Sequence, residues 1–237
     1  MRFYGGKGVQ GKQISTVILE LIGDCSDTIY LEPFCGALGV LRHVAQHFKK
    51  CYANDMCKDL IMLHKEVKNG KFQNPKITKE KWLKYKYTTK SSAERAFAGF
   101  GCSYGGVWFN GYISTPSNND MIYSSLIRLI PRIQNVVFSN KDYKDFLSSF
   151  QFGKQKYVIY MDPPYKGTCN LPWEEFDSNQ FWNIVRKLSK TKGVKVIVSE
   201  VSAPSDFKCI YKFKRKNGMH NITSDKIEIE EKLYMLN

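Results

Sequence analysis

Asp162-Pro163-Pro164-Tyr165 is the segment of this sequence best suited to chemistry on an amino group. Its two prolines fix two φ angles and remove two N–H donors, so the turn is stiff and offers carbonyl oxygens as acceptors. A carboxylate and a carbonyl held side by side can each accept a hydrogen bond from one exocyclic NH2. That draws the nitrogen lone pair out of conjugation with its ring and toward an electrophilic methyl group. Tyr165 would stack on the ring. The plainer reading of the same four residues is a stiff surface turn. A base inside a duplex cannot present its amine to a recessed strand end, so the chemistry also needs the nucleotide to leave the stack.

A second candidate is Glu32-Pro33-Phe34-Cys35-Gly36-Ala37-Leu38-Gly39, a glycine turn between a strand-like and a helix-like segment, where a ligand can approach the backbone closely. About 20 residues past its glycines comes Asn54-Asp55, at the end of the next strand-like run, where an acidic residue can bond ribose hydroxyls. The spacing is not that of a phosphate-binding glycine loop. Glu32 would repel pyrophosphate and tolerate a nucleoside bearing a sulfonium, which favours S-adenosylmethionine over a dinucleotide.

These residues need a scaffold, and the hydrophobic pattern supplies one. Ile14, Val17, Ile18, Leu21 and Ile22 recur at helical period before Gly23, a C-cap. Strands are expected at Thr28 to Glu32, Cys51 to Asp55, Val136 to Ser139, Tyr157 to Met161 and Val194 to Val198. Helical spacing follows through Leu38 to Val44, Leu60 to Leu63, Tyr143 to Phe150, and Phe181 to Leu188, the last capped by Ser178. Alternation of this kind implies a doubly wound, mostly parallel α/β sheet. Asp162 then falls at the carboxyl end of a central strand, where open sheets bind ligands. Two sheet-end strands are expected near Cys209 to Phe213 and Ile227 to Leu236.

From about Lys65 to Pro131 the alternation gives way to lysines, Gly/Ser/Asn clusters and an aromatic-rich stretch, so residues 65–131 read as a smaller, mainly helical insertion into a domain of residues 1–64 and 132–237. The formal charge of +14 makes nucleic acid the leading partner class. Nine lysines between Lys65 and Lys90 face only Glu66 and Glu80, with aromatics interleaved. Lys84, Lys86, Lys90 and Arg95 are the candidates for phosphate contact, against a solvated basic face. Gly101 to Tyr112 is too rich in glycine and aromatics for a regular helix; Tyr104, Trp108 and Asn110 are candidates for wedge or base-edge contacts, or for local packing. Trp173 and Phe176 could wall a base pocket or pack their loop.

Seven cysteines without a repeated spacing, and no signal-like N-terminus, suggest a reducing, intracellular compartment. No apolar run approaches the roughly 20 residues a membrane helix needs. His43 and His47 lack further ligands, so no metal is expected.

Taken together, the motifs and their order resemble the Dam-like, class alpha family of DNA adenine methyltransferases, over most of the chain. Phe3-Tyr4-Gly5-Gly6-Lys7 resembles the family's N-terminal aromatic-x-Gly-Gly-Lys motif, Glu32 to Gly39 its E/D-x-F-x-G motif, and Asn54-Asp55 its ribose-binding position. Asp142-Tyr143 resembles the acidic-aromatic pair that holds the cofactor adenine. The resemblance implies a Rossmann-like fold and in-line methyl transfer from S-adenosylmethionine to the N6 amine of a flipped adenine in double-stranded DNA. It places Phe3, Tyr4, Gly6, Lys7, Glu32, Pro33, Phe34, Cys35, Gly36, Gly39, Asn54, Asp55, Asp142, Tyr143 and Asp162 around the cofactor, with Lys7 toward its carboxylate. It implies a target-recognition insertion and no cysteine nucleophile, which leaves Cys35 to pack the turn; a monomer or weak dimer is the expected state. Alternatives are the cytosine N4 amine, adenine in RNA, or a non-catalytic nucleic-acid-binding protein.

Overall fold

The computed structural model describes residues 1, 3, 5–164, 176–216 and 228–237. Among these, helix α1 (Gly11–Ile22) leads to β1 (Thr28–Glu32), a single helical turn α2 (Leu41–Val44), β2 (Lys50–Asn54) and α3 (Lys58–Lys68). Helices α4 (Lys79–Tyr87), α5 (Ala93–Ala96) and α6 (Pro116–Ile127) follow. The chain continues through β3 (Val136–Ser139), α7 (Tyr143–Ser148), β4 (Lys156–Met161), α8 (Ser178–Ser189), β5 (Val194–Glu200), β6 (Phe207–Lys216) and β7 (Glu228–Leu236).

The strands form one sheet in the order β3-β2-β1-β4-β5-β7-β6. Pairings from β3 to β5 are parallel, and β7 runs antiparallel between β5 and β6. The sheet is therefore mostly parallel and doubly wound. From β1 the chain moves first to one side, through β2 and β3, and then to the other through β4 and β5. The carboxyl ends of adjacent β1 and β4 thus diverge at the point where such sheets open a crevice. Both strands are covered on both faces: Tyr30, Leu31, Ile159 and Met161 are fully buried. Burying each such side chain contributes about 2 kcal/mol.

Helix α1 forms as its periodicity predicts. Ile14 and Ile18 are fully buried, Leu21 lies at the solvent edge, and Gly23 ends the helix at φ 71° with its N–H on the Leu19 carbonyl. Two local expectations are corrected. Helix α2 is one turn, beginning only at Leu41, that tightens at once into a 3-10 turn at Ala45–His47, the winding short helix ends commonly adopt. Helix α8 begins at Ser178, but its cap is Asp177, whose carboxylate accepts the Gln180 N–H.

Between α3 and β3 the chain is largely helical, and α3 itself runs through residue 65 to Lys68. Phe72, Trp82, Phe97, Phe100 and Phe109 share one buried cluster with Leu60, Leu63 and Val67 of α3. The glycine-aromatic stretch is a shaped turn. Gly99 leaves room for the Trp108 and Phe109 rings, and Gly105, Gly106 and Gly111 take the left-handed backbone that side chains resist. No described helix is long and apolar enough to cross a membrane.

Candidate active site

Asp162 follows directly on the buried strand β4, and its Oδ1 accepts a 2.7 Å hydrogen bond from the Lys7 ammonium. Lys7 is almost wholly buried; its Nζ also lies 3.7 Å from Glu231 Oε2 on β7 and donates to the Gly5 carbonyl. Glu32 closes β1 beside this pair, buried, with its Oε2 accepting from the Tyr30 hydroxyl at 2.7 Å. Burial pushes the Glu32 carboxyl well above the usual range, and the nearby Asp162 and Asp55 charges add to the effect. Pro163 is buried and Pro164 half-buried. Tyr4, Tyr165 and Trp173 lie outside the described residues.

Glu200, at the end of β5, belongs to the same group. Its Oε2 is buried with no hydrogen-bond partner among the described residues, and its carboxyl is pushed up to about 8 by burial and then by Asp162. The acid form is thus favoured in the folded state. Between the ordinary carboxylate range and about pH 8 the folded protein binds more protons than the unfolded chain, so stability falls as pH rises across that window. Glu200→Gln is expected to flatten the fall by about 1 kcal/mol, discounting for solvent at a partly exposed group. Thermal unfolding at pH 6 and pH 8.5 measures it, and identical pH slopes in both proteins would clear Glu200 of the effect.

The glycine turn is pinned from both sides. Gly36, at φ 44°, donates its N–H to Asp55 Oδ2 at 2.9 Å, and its carbonyl accepts from His64 Nε2 at 2.8 Å. A carbonyl acceptor requires the Nε2–H tautomer. Burial holds the His64 ring neutral, lowering its pKa to about 4. Leu38 sits fully buried at φ 61°, a strained conformation for a branched side chain that the surrounding turn imposes. His64 carried no signal in the sequence, and Leu38, expected to open the helical spacing, stands in the turn before α2.

The N-terminal segment lies on this turn. A Cβ at Gly36 would come within 3.2 Å of the Phe3 ring, and one at Gly39 within 2.8 Å of the Lys7 carbonyl carbon. A Cβ at Gly11 would strike the Gly39 carbonyl. Gly39 therefore matters as the surface on which the Lys7 backbone rests. Gly39→Ala is expected to cost about 2 kcal/mol, lowering the melting temperature by roughly 4–8 °C, and to shift Lys7 off Asp162. Unchanged melting and activity would show that the segment can slide without consequence.

Asn54, Asp55, Asp142 and Tyr143 sit around the turn. Both Asp55 oxygens already accept backbone N–H groups, Oδ2 from Gly36 and Oδ1 from Cys57, each at 2.9 Å, while keeping further lone pairs. Burial raises its carboxyl against those two bonds. Asn54 is a structural hub: Nδ2 donates to the Pro33 and Lys141 carbonyls, and Oδ1 accepts from Ser139 Oγ and the Lys141 N–H. Asp142 caps α7 through the Lys144 N–H at 2.8 Å. Tyr143 packs against Phe34 with ring centroids 5.1 Å apart, and Phe176 and Phe181 complete the aromatic group. Phe176 is thus engaged in packing. Cys35 is buried and its thiol is pushed well up by burial, which makes it a poor nucleophile.

Between α3 and β3, Lys84, Lys86, Lys90, Tyr104 and Asn110 are exposed. Arg95 and Trp108 have internal partners. The Arg95 guanidinium bonds Asp59 at 3.0 Å and the Tyr85 carbonyl at 3.0 Å, and lies 4.9 Å over the Trp108 ring. That arrangement ties α5 to α3.

The structure thus brings together a Lys7–Asp162 ion pair at the end of β4, the buried carboxyl groups of Glu32, Glu200 and Glu231, and a constrained glycine turn. The sequence comparison is consistent with that geometry. Residues 3–97 match the D12 class N6 adenine-specific DNA methyltransferase family. The match contains Phe3, Gly6, Lys7, the whole glycine turn and Asn54-Asp55, and it supports methyltransferase chemistry. No curated protein matches the chain. Similar solved structures include precorrin 8W decarboxylase of Methanobacterium thermoautotrophicum, 11% identical with 95% of this chain and 89% of that chain covered at TM-score 0.47. Others are the 23S rRNA methyltransferase ErmE (9%, 94% and 66%, 0.43) and the magnesium protoporphyrin IX methyltransferase of Synechocystis PCC 6803 with bound SAM (8%, 96% and 78%, 0.41).

Proposed function

We propose that the protein methylates the exocyclic N6 amine of adenine in double-stranded DNA, using S-adenosylmethionine. The observation that carries this reading is the Lys7–Asp162 ion pair at the end of β4, beside the Gly36 turn. The residues present fit the cofactor: the Gly36 turn lets a ligand approach the backbone closely and Asp55 keeps lone pairs for ribose hydroxyls, whereas Glu32 and Glu200, favoured in their acid forms, do not themselves discriminate a sulfonium from a polyphosphate. Gly36, Gly39, Asp55, Asp142 and Tyr143, with Phe3, Gly6, Pro33, Phe34, Cys35 and Asn54 shaping their surroundings, would hold the cofactor. When bound, it supplies an electrophilic methyl group.

Asp162, kept as an acceptor by Lys7, receives one N–H of the target amine; the Pro163 carbonyl receives the other. Together they turn the lone pair toward the methyl donor and need no covalent protein intermediate. Tyr165 and Pro164 complete the motif against the flipped base. Residues 65–131 dock the duplex through Lys84, Lys86, Lys90, Tyr104 and Asn110, while Arg95 and Trp108 act by shaping that surface. Residues 1–64 and 132–237 perform the transfer, in an intracellular monomer or weak dimer.

Labelled methyl transfer to mixed-sequence DNA and RNA, followed by nucleoside identification, tests this. N6-methyladenine in DNA is the expected product. N4-methylcytosine, or a product in RNA alone, would keep the chemistry and overturn the substrate; no transfer with no cofactor binding would leave a nucleic-acid-binding protein.

A further inference from the structure

At the opposite end of the sheet from Asp162, a groove of about 940 Å3 runs along the amino ends of β1, β2, β4 and β5. Lys49, Lys50, Lys154, Lys156 and Lys192 line it, and Asp27 is the one carboxylate among its lining residues. All five lysines are exposed. Asp27 meets Lys49 at 3.4 Å, whereas Lys50, Lys154, Lys156 and Lys192 have no carboxylate within salt-bridge distance among the described residues. Asp24, just outside, feels Lys156 only weakly, behind its hydrogen bonds from Ser26.

Ammonium groups gathered on one face set up a positive field that an anion in the groove would neutralise. The floor suits more than a point charge. Tyr52 is half-buried there with the Lys50 ammonium 5.1 Å from its ring, and Ile29 lies beside it. Gly153 and Gly193, both in left-handed conformations, turn the chain sharply at the rim without adding side chains. The groove is also remote from the site. Lys156 opens β4 and Asp162 follows its end, so six strand steps put them about 20 Å apart.

We propose that this groove binds the phosphate backbone of a second nucleic-acid segment, distant from the target base, so that long duplexes engage both ends of the sheet. Lysines on flexible stems suit a repeating line of phosphates, and each phosphate they neutralise releases counterions. The identity of the ligand rests on the nucleic-acid reading above; the existence of a polyanion site does not.

The test replaces Lys50, Lys154, Lys156 and Lys192 together with Gln, and compares binding to a 16-base-pair and a 60-base-pair duplex over a salt series. The expected result is unchanged affinity for the short duplex and at least tenfold weaker binding of the long one. The slope of log affinity against log salt should shrink by about 0.9 for every phosphate that the groove no longer neutralises. The matching Lys→Arg protein should bind the long duplex normally. Equal affinity and equal salt slope on the long duplex would overturn the proposal, as would binding of poly-glutamate in preference to DNA. Failure of the methylation reading looks different: the unaltered protein would transfer no methyl group, while the binding comparison stood.

Discussion

Asp162→Asn is expected to lower methyl transfer by about a thousandfold while cofactor affinity changes no more than a few-fold. The substitution keeps the shape of the side chain but turns one acceptor oxygen into a donor, which opposes an incoming N–H instead of receiving it. Removing one oriented polar group that acts mainly in the transition state costs a factor of about 100–1,000, and the broken Lys7 pairing adds to that. Single-turnover transfer and equilibrium binding of S-adenosylmethionine, measured separately, decide the matter. A parallel fall in both would move Asp162 from the target amine to the cofactor pocket. Lys7→Met should be milder toward the amine and harsher toward the fold, because it leaves Asp162 and the buried Glu231 without their shared ammonium.

The second large effect is on stability. Asn54→Ala is expected to cost about 3 kcal/mol, lowering the melting temperature by roughly 10 °C. The Asn54 side chain makes four hydrogen bonds at a nearly inaccessible position, and its removal strands the Pro33 and Lys141 carbonyls and the Lys141 N–H. It joins the end of β2 to the glycine turn and to the segment leading into α7. Urea unfolding measures the cost directly. A loss under about 1 kcal/mol would mean that water enters and replaces the amide.

Much of the fold was legible because period and position agree. The strands ending at Glu32, Asn54 and Met161 were apparent as short apolar runs, each followed by residues able to do chemistry, and parallel order follows from the helices between them. Local detail was less so. Ser178 and Asp177 are both good caps, and only the backbone angles select the aspartate. A single-turn helix such as α2 is too short for periodicity to declare. Around the site, a short motif shows which groups are near one another in sequence but not which partners arrive from elsewhere. The reach of Lys7 to Asp162 spans 155 residues, and the support of Gly36 by His64 spans 28. Arg95 reads as a phosphate ligand from its basic neighbourhood, yet Asp59, 36 positions earlier, already holds it.

The Lys7 ammonium meets one carboxylate from the middle of the chain and another from its last described strand. Assembly of the site is consequently among the most non-local events in the molecule. A ribosome-bound chain that has emerged only through Asp162 can pair β1 with β4, but Glu231 has yet to be made. Closing such distant contacts is entropically slow and follows local helix formation. Acquisition of activity on refolding should therefore lag behind recovery of helical signal, and the appearance of methyl transfer would time the final step of folding.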